Sequence, residues 1–264
     1  MEKRIAIIGL GNLGLSIANG LMENGIVKPE HLVATKRNVT SPEIDYTYKV
    51  TSDNKTAVAN ADIIIVALKP YNTLSVLESL KASFRPDQLL VSLATGITLE
   101  ALQSVVGISM PIFRAMPNTA AAVNESITCI SFKQTDLIKN DDLLLIKSIF
   151  NATGSTIIID ENLMEAATVL GACGIAYVMR FMRAMVQGGI QIGFDAKTAS
   201  AIVNQTVKGA SALLLENGEH PEYEIDKVTT PKGCTIKGLN EMEHHGFSSS
   251  LIKGIVASYE KIEK

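Results

Sequence analysis

The sequence predicts an α/β protein. An N-terminal Rossmann-type doubly wound sheet spans residues 1–160, and an all-α region follows over 161–264. Three observations carry this. A glycine-rich turn joins the first apolar strand to the first helix. Short β-branched runs then alternate with helical periodicity as far as residue 160. Beyond that point strand signal almost vanishes and long helical periods take over.

The first strand (residues 4–8) runs into Gly9, Gly11 and Gly14, the G-x-G-x-x-G spacing, before a helix over 12–24. Gly9 permits a tight turn, Gly11 lets backbone approach a pyrophosphate, and Gly14 lets helix pack close on strand. The helix start then offers unpaired N–H groups to that anion. Further strands are expected at 31–35, 47–50, 62–68, 88–93, 111–115, 127–130 and 155–159. Helices are expected at 54–60, 72–84, 98–105 and 136–150, the last beginning at Asp136. The run DIIIVAL at 62–68 is apolar enough for a strand buried on both faces. In the second half, helices are expected at 161–192, 196–216, 235–244 and 248–262. Much of this half is apolar on more than one face, which favours a homodimer formed through it.

Composition excludes several classes. Hydrophobic residues make up 47% and charged residues 19%, with net charge −3 and no basic run, so nothing points to nucleic acid. Cys129, Cys173 and Cys234 are widely spaced, implying a reducing compartment with neither disulfide framework nor zinc site. The opening MEKR and its short apolar run are too brief for a signal-peptide core, and no uninterrupted apolar run has membrane-spanning length. These features predict a cytoplasmic protein without a membrane or nucleic-acid partner. Glu241, Glu243, His244 and His245 lack a second cluster to complete a metal shell and read as a solvated helix end.

An NAD site usually places an acid about 20 residues after the glycines. Here the second strand ends Thr35-Lys36-Arg37, and no acid follows until Glu43. A hydroxyl and two cations suit a 2′-phosphate, which favours NADP(H), with NAD(H) as the alternative. Asn54 opens a short helix near the adenosine end. Three loops at strand ends extend the site: Ala67-Leu68-Lys69-Pro70, Ala94-Thr95-Gly96, and Arg114 to Thr119, which includes Asn118. In the helical half, residues 226–238 (DKVTTPKGCTIKG) gather threonines, proline and glycine just before a helix, a natural seat for a carboxylate or an ordinary Thr-capped loop. Gly171 and Gly174 lie mid-helix, where each costs about 1 kcal/mol relative to alanine; close backbone approach or plain helix packing accounts for them.

Taken together, GLGNLG at 9–14, ALKP at 67–70, RAMPNT at 114–119 and EIDKVTTPKGCTIKGL at 224–239 resemble the pyrroline-5-carboxylate reductase family. The resemblance implies an N-terminal Rossmann domain, a C-terminal dimerisation domain, and substrate bound at the subunit interface. In many members dimers assemble into rings. It implies NADPH-dependent reduction of 1-pyrroline-5-carboxylate to proline. By position, Ile8, Gly9, Leu10, Gly11, Asn12, Leu13, Asn54, Ala67 to Pro70 and Ala94 to Gly96 would contact the cofactor. Glu161, Lys227, Gly233, Cys234 and Thr235 would meet substrate or product, with the Thr235 hydroxyl at the ring nitrogen as the catalytic contact. The family's Ser-Gly-Ser-Gly-Pro-Ala-Tyr is here Gly171-Ala172-Cys173-Gly174-Ile175-Ala176-Tyr177. The signature's first glycine is Lys232, its first threonine Cys234, and a common asparagine is Lys227. These departures leave two other readings open: a related imine or ketone reductase, and a non-catalytic NADP-binding relative.

Overall fold

The computed structural model describes residues 2–39, 46–135 and 137–262. Glu43 and the expected helix start at Asp136 lie outside them. Among the described residues, eight strands form one sheet: β1 (Ile5–Ile8), β2 (Leu32–Thr35), β3 (Lys49–Thr51), β4 (Ile63–Val66), β5 (Leu89–Ser92), β6 (Ile112–Met116), β7 (Ser126–Phe132) and β8 (Gly154–Ile158). Their order is β3-β2-β1-β4-β5-β6-β7-β8. All neighbours are parallel except β6 and β7. The chain winds outward from β1 in one direction and from β4 in the other, so the switch point lies between these two strands. Open α/β sheets bind ligands beyond the carboxyl ends of strands at such a point.

Burial explains the apolar runs. Every residue of β1 and β4 is buried, and their alternate side chains feed opposite faces. Ile5, Ile7, Ile63 and Ile65 pack under α1 (Asn12–Glu23) and α5 (Asn140–Asn151). Ala6, Ile8, Ile64 and Val66 pack under α2 (Asn54–Ala59), α3 (Pro70–Leu80) and α4 (Leu99–Val106). Pro70 is the first residue of α3 rather than merely the stop of β4, a position where its missing N–H costs nothing. Thr98 caps α4 by accepting the Ala101 N–H at 3.1 Å.

The expected single helix over 161–192 is segmented. It comprises a 3₁₀ turn (Glu161–Leu163), α6 (Met164–Ala167), a π turn (Thr168–Cys173) and α7 (Gly174–Gln191). The Asn118 side-chain amide donates to the Gly171 carbonyl at 3.2 Å, within the widened turn. A Cβ on Gly171 would meet only Ile127 at 3.7 Å, so no tight approach demands glycine there. The tight contact lies at Gly189, whose added Cβ would stand 3.1 Å from the Ala199 methyl. The helical stretch Glu161–Gln191 is long and apolar enough to cross a membrane by length and composition, with mean hydropathy 1.5. Its charged members Arg180 and Arg183 explain why no uninterrupted apolar run stands out in the sequence.

The chain divides into two compact units, the first ending at Ala172 and the second running from Cys173 to Ile262. The boundary falls later than residue 160 because residues 161–172 bond to the sheet unit through Glu161, Glu165 and Gly171. In the second unit, α7 precedes α8 (Ala196–Asn217), α9 (Pro221–Lys227), α10 (Cys234–His244) and α11 (Phe247–Ile262). The sequence reading leaves α9 as loop, yet Pro221 at its first position and Glu222 and Glu224 in its first turn are start signals. The buried core of this unit is thin, centred on Val186, Ala199 and Val203. Large apolar side chains stand open instead, Leu215 at 83% and Ile192 at 78% exposure.

Candidate functional site

The glycine turn does what its spacing implies. Gly9 has φ +103°, and an added Cβ would lie 2.7 Å from the Ala67 carbonyl oxygen. A Cβ on Gly14 would lie 2.2 Å from the Gly9 carbonyl oxygen, so helix and strand touch there. A Cβ on Gly11 would meet nothing within 4 Å, which leaves that backbone open to a ligand. The Gly11 carbonyl accepts the Leu15 N–H at 2.8 Å, and the amides ahead of Leu15, including those of Asn12 and Leu13, have no acceptor within the helix.

A cleft of about 300 Å³ opens beside this turn. Its walls include Gly9, Leu10, Gly11, Thr35, Lys36, Arg37, Asn54 and Leu68, all expected at a cofactor site, together with Ser52 and Val76, which sequence reasoning missed. Lys36 and Arg37 have no ion-pair partner among the described residues, and the shape and charge of this cleft fit a nucleotide phosphate. Thr35 also builds the turn itself. It is buried, and its hydroxyl accepts the Gly9 N–H at 3.2 Å while its carbonyl accepts the Leu10 N–H at 2.7 Å. It holds the turn in place. Ile8 and Leu13 are likewise structural through their side chains, packed in the core, so only their backbones are available to a ligand.

The other expected loops lie along the same carboxyl edge. Ala67 N–H donates to the Ile8 carbonyl at 2.9 Å, and Leu93 N–H to the Val66 carbonyl at 3.0 Å, so β1, β4 and β5 end in step. Lys69 and Pro70 are exposed at the start of α3. Ala94 N–H reaches the Ser92 hydroxyl at 3.3 Å, the Thr95 hydroxyl faces the Met116 sulfur at 3.9 Å, and Gly96 turns the chain with φ +73°. Asn118, expected at the cofactor site, is buried; its side-chain oxygen accepts the Ala120 N–H at 3.0 Å, and its amide donates to the Gly171 carbonyl at 3.2 Å. These bonds shape the loop after β6.

Glu161, expected to meet substrate, is engaged by one oxygen. Its Oε1 accepts the Leu99 N–H at 2.6 Å and pairs with Arg114 Nη1 at 3.2 Å. Arg114 Nη2 pairs with Glu165 at 2.8 Å. The Arg114 side chain is only 3% exposed, so both carboxylates hold a charge deep in the unit. This trio is absent from the sequence reading, which places Arg114 only at the head of the RAMPNT loop.

In the second unit, Gly233 N–H donates to the Thr230 carbonyl at 3.0 Å, closing a turn directly before α10. The turn is close there, an added Cβ lying 2.5 Å from the Thr230 hydroxyl and 3.0 Å from the Thr230 carbonyl oxygen. Gly233 itself is the helix cap and no side chain caps α10, so the Cys234 and Thr235 amides begin a helix with its donors free. Cys234 is exposed and Thr235 half-buried. Lys232 occupies the left-handed region with φ +61°, at the place where the family signature has glycine. Lys227 is not a free cation. Its ammonium pairs with Glu224 at 2.7 Å and lies 4.4 Å from the Tyr223 ring centre, and the hydrogen bond to Glu224 raises its pKa. His245 pairs only with exposed Glu241, and the described residues contain no cluster of three or more metal-ligating side chains.

A family model described as pyrroline-5-carboxylate reductase dimerisation matches residues 161–264. Another, described as NADP oxidoreductase coenzyme F420-dependent, matches residues 4–96. Pyrroline-5-carboxylate reductase 2 of Dictyostelium discoideum is 41% identical over 278 residues, covering 100% of this chain and 93% of that protein. Pyrroline-5-carboxylate reductase 1 of the same organism is 45% identical over 271 residues, but this chain, 98% covered, spans 49% of its length. The solved structure of Plasmodium falciparum pyrroline carboxylate reductase with NADP bound superposes with a TM-score of 0.89 at 27% identity, covering 99% of this chain and 97% of that one. With a glycine turn beside an open cleft, a helical half left apolar outside, a dimerisation model matched over 161–264 and a relative 41% identical over the whole chain, this chain belongs to the pyrroline-5-carboxylate reductase family.

Proposed function

We infer that this chain, an oxidoreductase of that family acting on a C=N bond, reduces 1-pyrroline-5-carboxylate to proline with NADPH as its preferred coenzyme, working as a homodimer. The observation that carries the coenzyme reading is the cleft beside Gly9 and Gly11, walled by the unpaired cations Lys36 and Arg37. When bound, NADPH supplies the hydride. The chain's own contribution is to bind and orient. Gly9 to Leu13 present backbone amides to the pyrophosphate, Lys36 and Arg37 take the 2′-phosphate, and the Ala67–Pro70 and Ala94–Gly96 loops border the nicotinamide half.

On the substrate side, the free amides of Cys234 and Thr235 at the start of α10, behind the turn that Gly233 closes, receive the ring carboxylate. The Thr235 hydroxyl holds the ring nitrogen. A protonated ring imine is already electrophilic at C5, so no strong base or covalent nucleophile is required. Alignment of two bound reactants supplies about 7–11 kcal/mol in well-oriented systems. The open apolar side chains of the second unit are the surface that a second copy would bury. A related imine or ketone reductase is the second reading, favoured by Lys232 and Cys234 in the carboxylate turn. The test is coenzyme oxidation followed with pyrroline-5-carboxylate, NADPH and NADH, and with a panel of other cyclic imines and ketones. Turnover of pyrroline-5-carboxylate with a lower KM for NADPH is expected; turnover of other substrates alone would overturn the assignment.

A further inference from the structure

Arg114 carries a full charge almost out of water, and that costs several kcal/mol unless it is matched. It sits on β6, in register with Ser92 of β5 and Ser131 of β7, so all three project from one face of the sheet. All three are buried, forming a polar row across three strands in a face otherwise lined by Leu90, Ile112 and Leu102. Its two Nη atoms are bound to different carboxylates four residues apart, Glu161 and Glu165. Glu161 Oε1 also takes the N–H of Leu99, the first residue of α4, where a negative charge is favoured.

This arrangement joins three segments at one point. The loop Ala94–Gly96 runs into α4 through the Thr98 cap. The strand carrying Arg114 runs into Met116 and Asn118. The segment carrying Glu161 and Glu165 runs into the π turn, whose Gly171 carbonyl is held by Asn118. The Ala94–Gly96 segment is a loop that the proposed reaction needs on the nicotinamide side, and none of the three touches the cleft at Lys36 and Arg37. Glu161 keeps its second oxygen without a protein partner, and unlike Glu165 Oε2 it is not buried.

We propose that Arg114 is a positioning residue for hydride transfer: by gripping Glu161 and Glu165 it sets the Ala94–Gly96 and Met116–Asn118 loops, and the free oxygen of Glu161, relative to the substrate ring. It acts through these groups and touches neither reactant. The inference rests on the function proposed above, and the experiment separates the two. Wild-type chain, Arg114→Met, Arg114→Lys and Glu165→Gln are compared by NADPH binding in fluorescence titration and by kcat and KM for pyrroline-5-carboxylate at saturating NADPH.

Arg114→Met is expected to lower kcat/KM for pyrroline-5-carboxylate at least ten-fold while the Kd for NADPH changes less than three-fold, because the phosphate grip lies elsewhere. Arg114→Lys, which keeps the charge and one contact, should recover part of the loss. Glu165→Gln, which keeps the shape and removes one charge, should reduce kcat by a smaller factor, and it carries the test if Arg114→Met does not fold. The proposal is overturned if kcat/KM is unchanged in Arg114→Met, if NADPH affinity falls by the same factor as kcat/KM, or if Lys restores nothing. Failure of wild-type chain to turn over pyrroline-5-carboxylate would instead refute the proposed function.

Discussion

Gly11→Ala separates binding from folding more cleanly than any other change in the glycine turn. Gly11 has φ −85° and ψ −169°, extended backbone that alanine adopts freely, and its new methyl would meet nothing within 4 Å. Alanine is a poorer helix cap than glycine, a cost of about 0.5–1 kcal/mol. A stiffer unfolded chain offsets about 0.4–1 kcal/mol of that. The two nearly cancel, so Tm should move by no more than about 2 °C. The methyl nevertheless stands where a pyrophosphate must approach the amides. Loss of one charge-assisted hydrogen bond, about 1.5–3 kcal/mol, weakens NADPH roughly ten- to hundred-fold. Gly14→Ala makes the contrasting control. Its Cβ would be 2.2 Å from a backbone carbonyl oxygen, and the gain of about 1 kcal/mol in helix propensity cannot offset forced movement of the turn. That variant should lose both Tm and binding. Fluorescence titration and thermal melts read both quantities. NADPH binding as tight as wild type in Gly11→Ala, or a fall in Tm matching that of Gly14→Ala, would refute the assignment of the three glycines.

Four further changes test other parts of the molecule. Arg37→Ala should raise KM for NADPH more than for NADH; an equal rise would remove the 2′-phosphate role. Thr235→Ala should lower kcat/KM roughly ten-fold, as loss of one hydrogen bond to a charged group does, and unchanged kinetics would dismiss that hydroxyl. Lys232→Gly relieves a left-handed residue at φ +61°, a strain of about 1–2 kcal/mol, less about 0.4–1 kcal/mol for the looser unfolded chain. Its Tm should therefore rise by about 2 °C, and a Tm that stays level or drops would show that the turn is not strained. Tyr48 is buried with its hydroxyl unpartnered, and burial, with a smaller push from Tyr46, moves its pKa from 10.0 up to about 12. Its folded-state value lies above the unfolded one, so its contribution is complete below pH 10 and is lost as pH climbs toward 12. Tyr48→Phe should then be at least as stable as wild type at neutral pH and relatively more stable in alkali. Equal alkaline losses in urea melts of both proteins would contradict this.

Much of the first unit was legible in the sequence because its signals are local. Short apolar runs locate β1, β4 and β5 and period-3.6 patterns locate α1 to α4 within a few residues, since the strands are buried on both faces and each helix buries the face its own composition advertises. The glycine turn is legible for the same reason: φ +103° at Gly9 and the contacts of Gly14 are properties of three positions five residues apart. The turn before α10 is visible as a cluster of threonine, proline and glycine, and the open apolar helices of the second half are visible in their composition.

The tertiary structure decided what depends on residues far apart in the chain. Nothing near Arg114 signals that it is buried, because its partners Glu161 and Glu165 are 47 and 51 positions away. Thr35 and Asn118 read as ligand contacts from their places at strand ends, and the structure adds hydrogen bonds from each to Gly9, Gly171 and Ala120 that the sequence did not signal. The π turn at Thr168–Cys173 has no periodic signature, and its Gly171 carbonyl is met by Asn118, 53 positions away. Sequence thus determined which segments form strands, helices and glycine turns, all set by neighbouring residues; which polar side chains bond inside the fold was settled only by long-range packing, because their partners lie far apart in the chain.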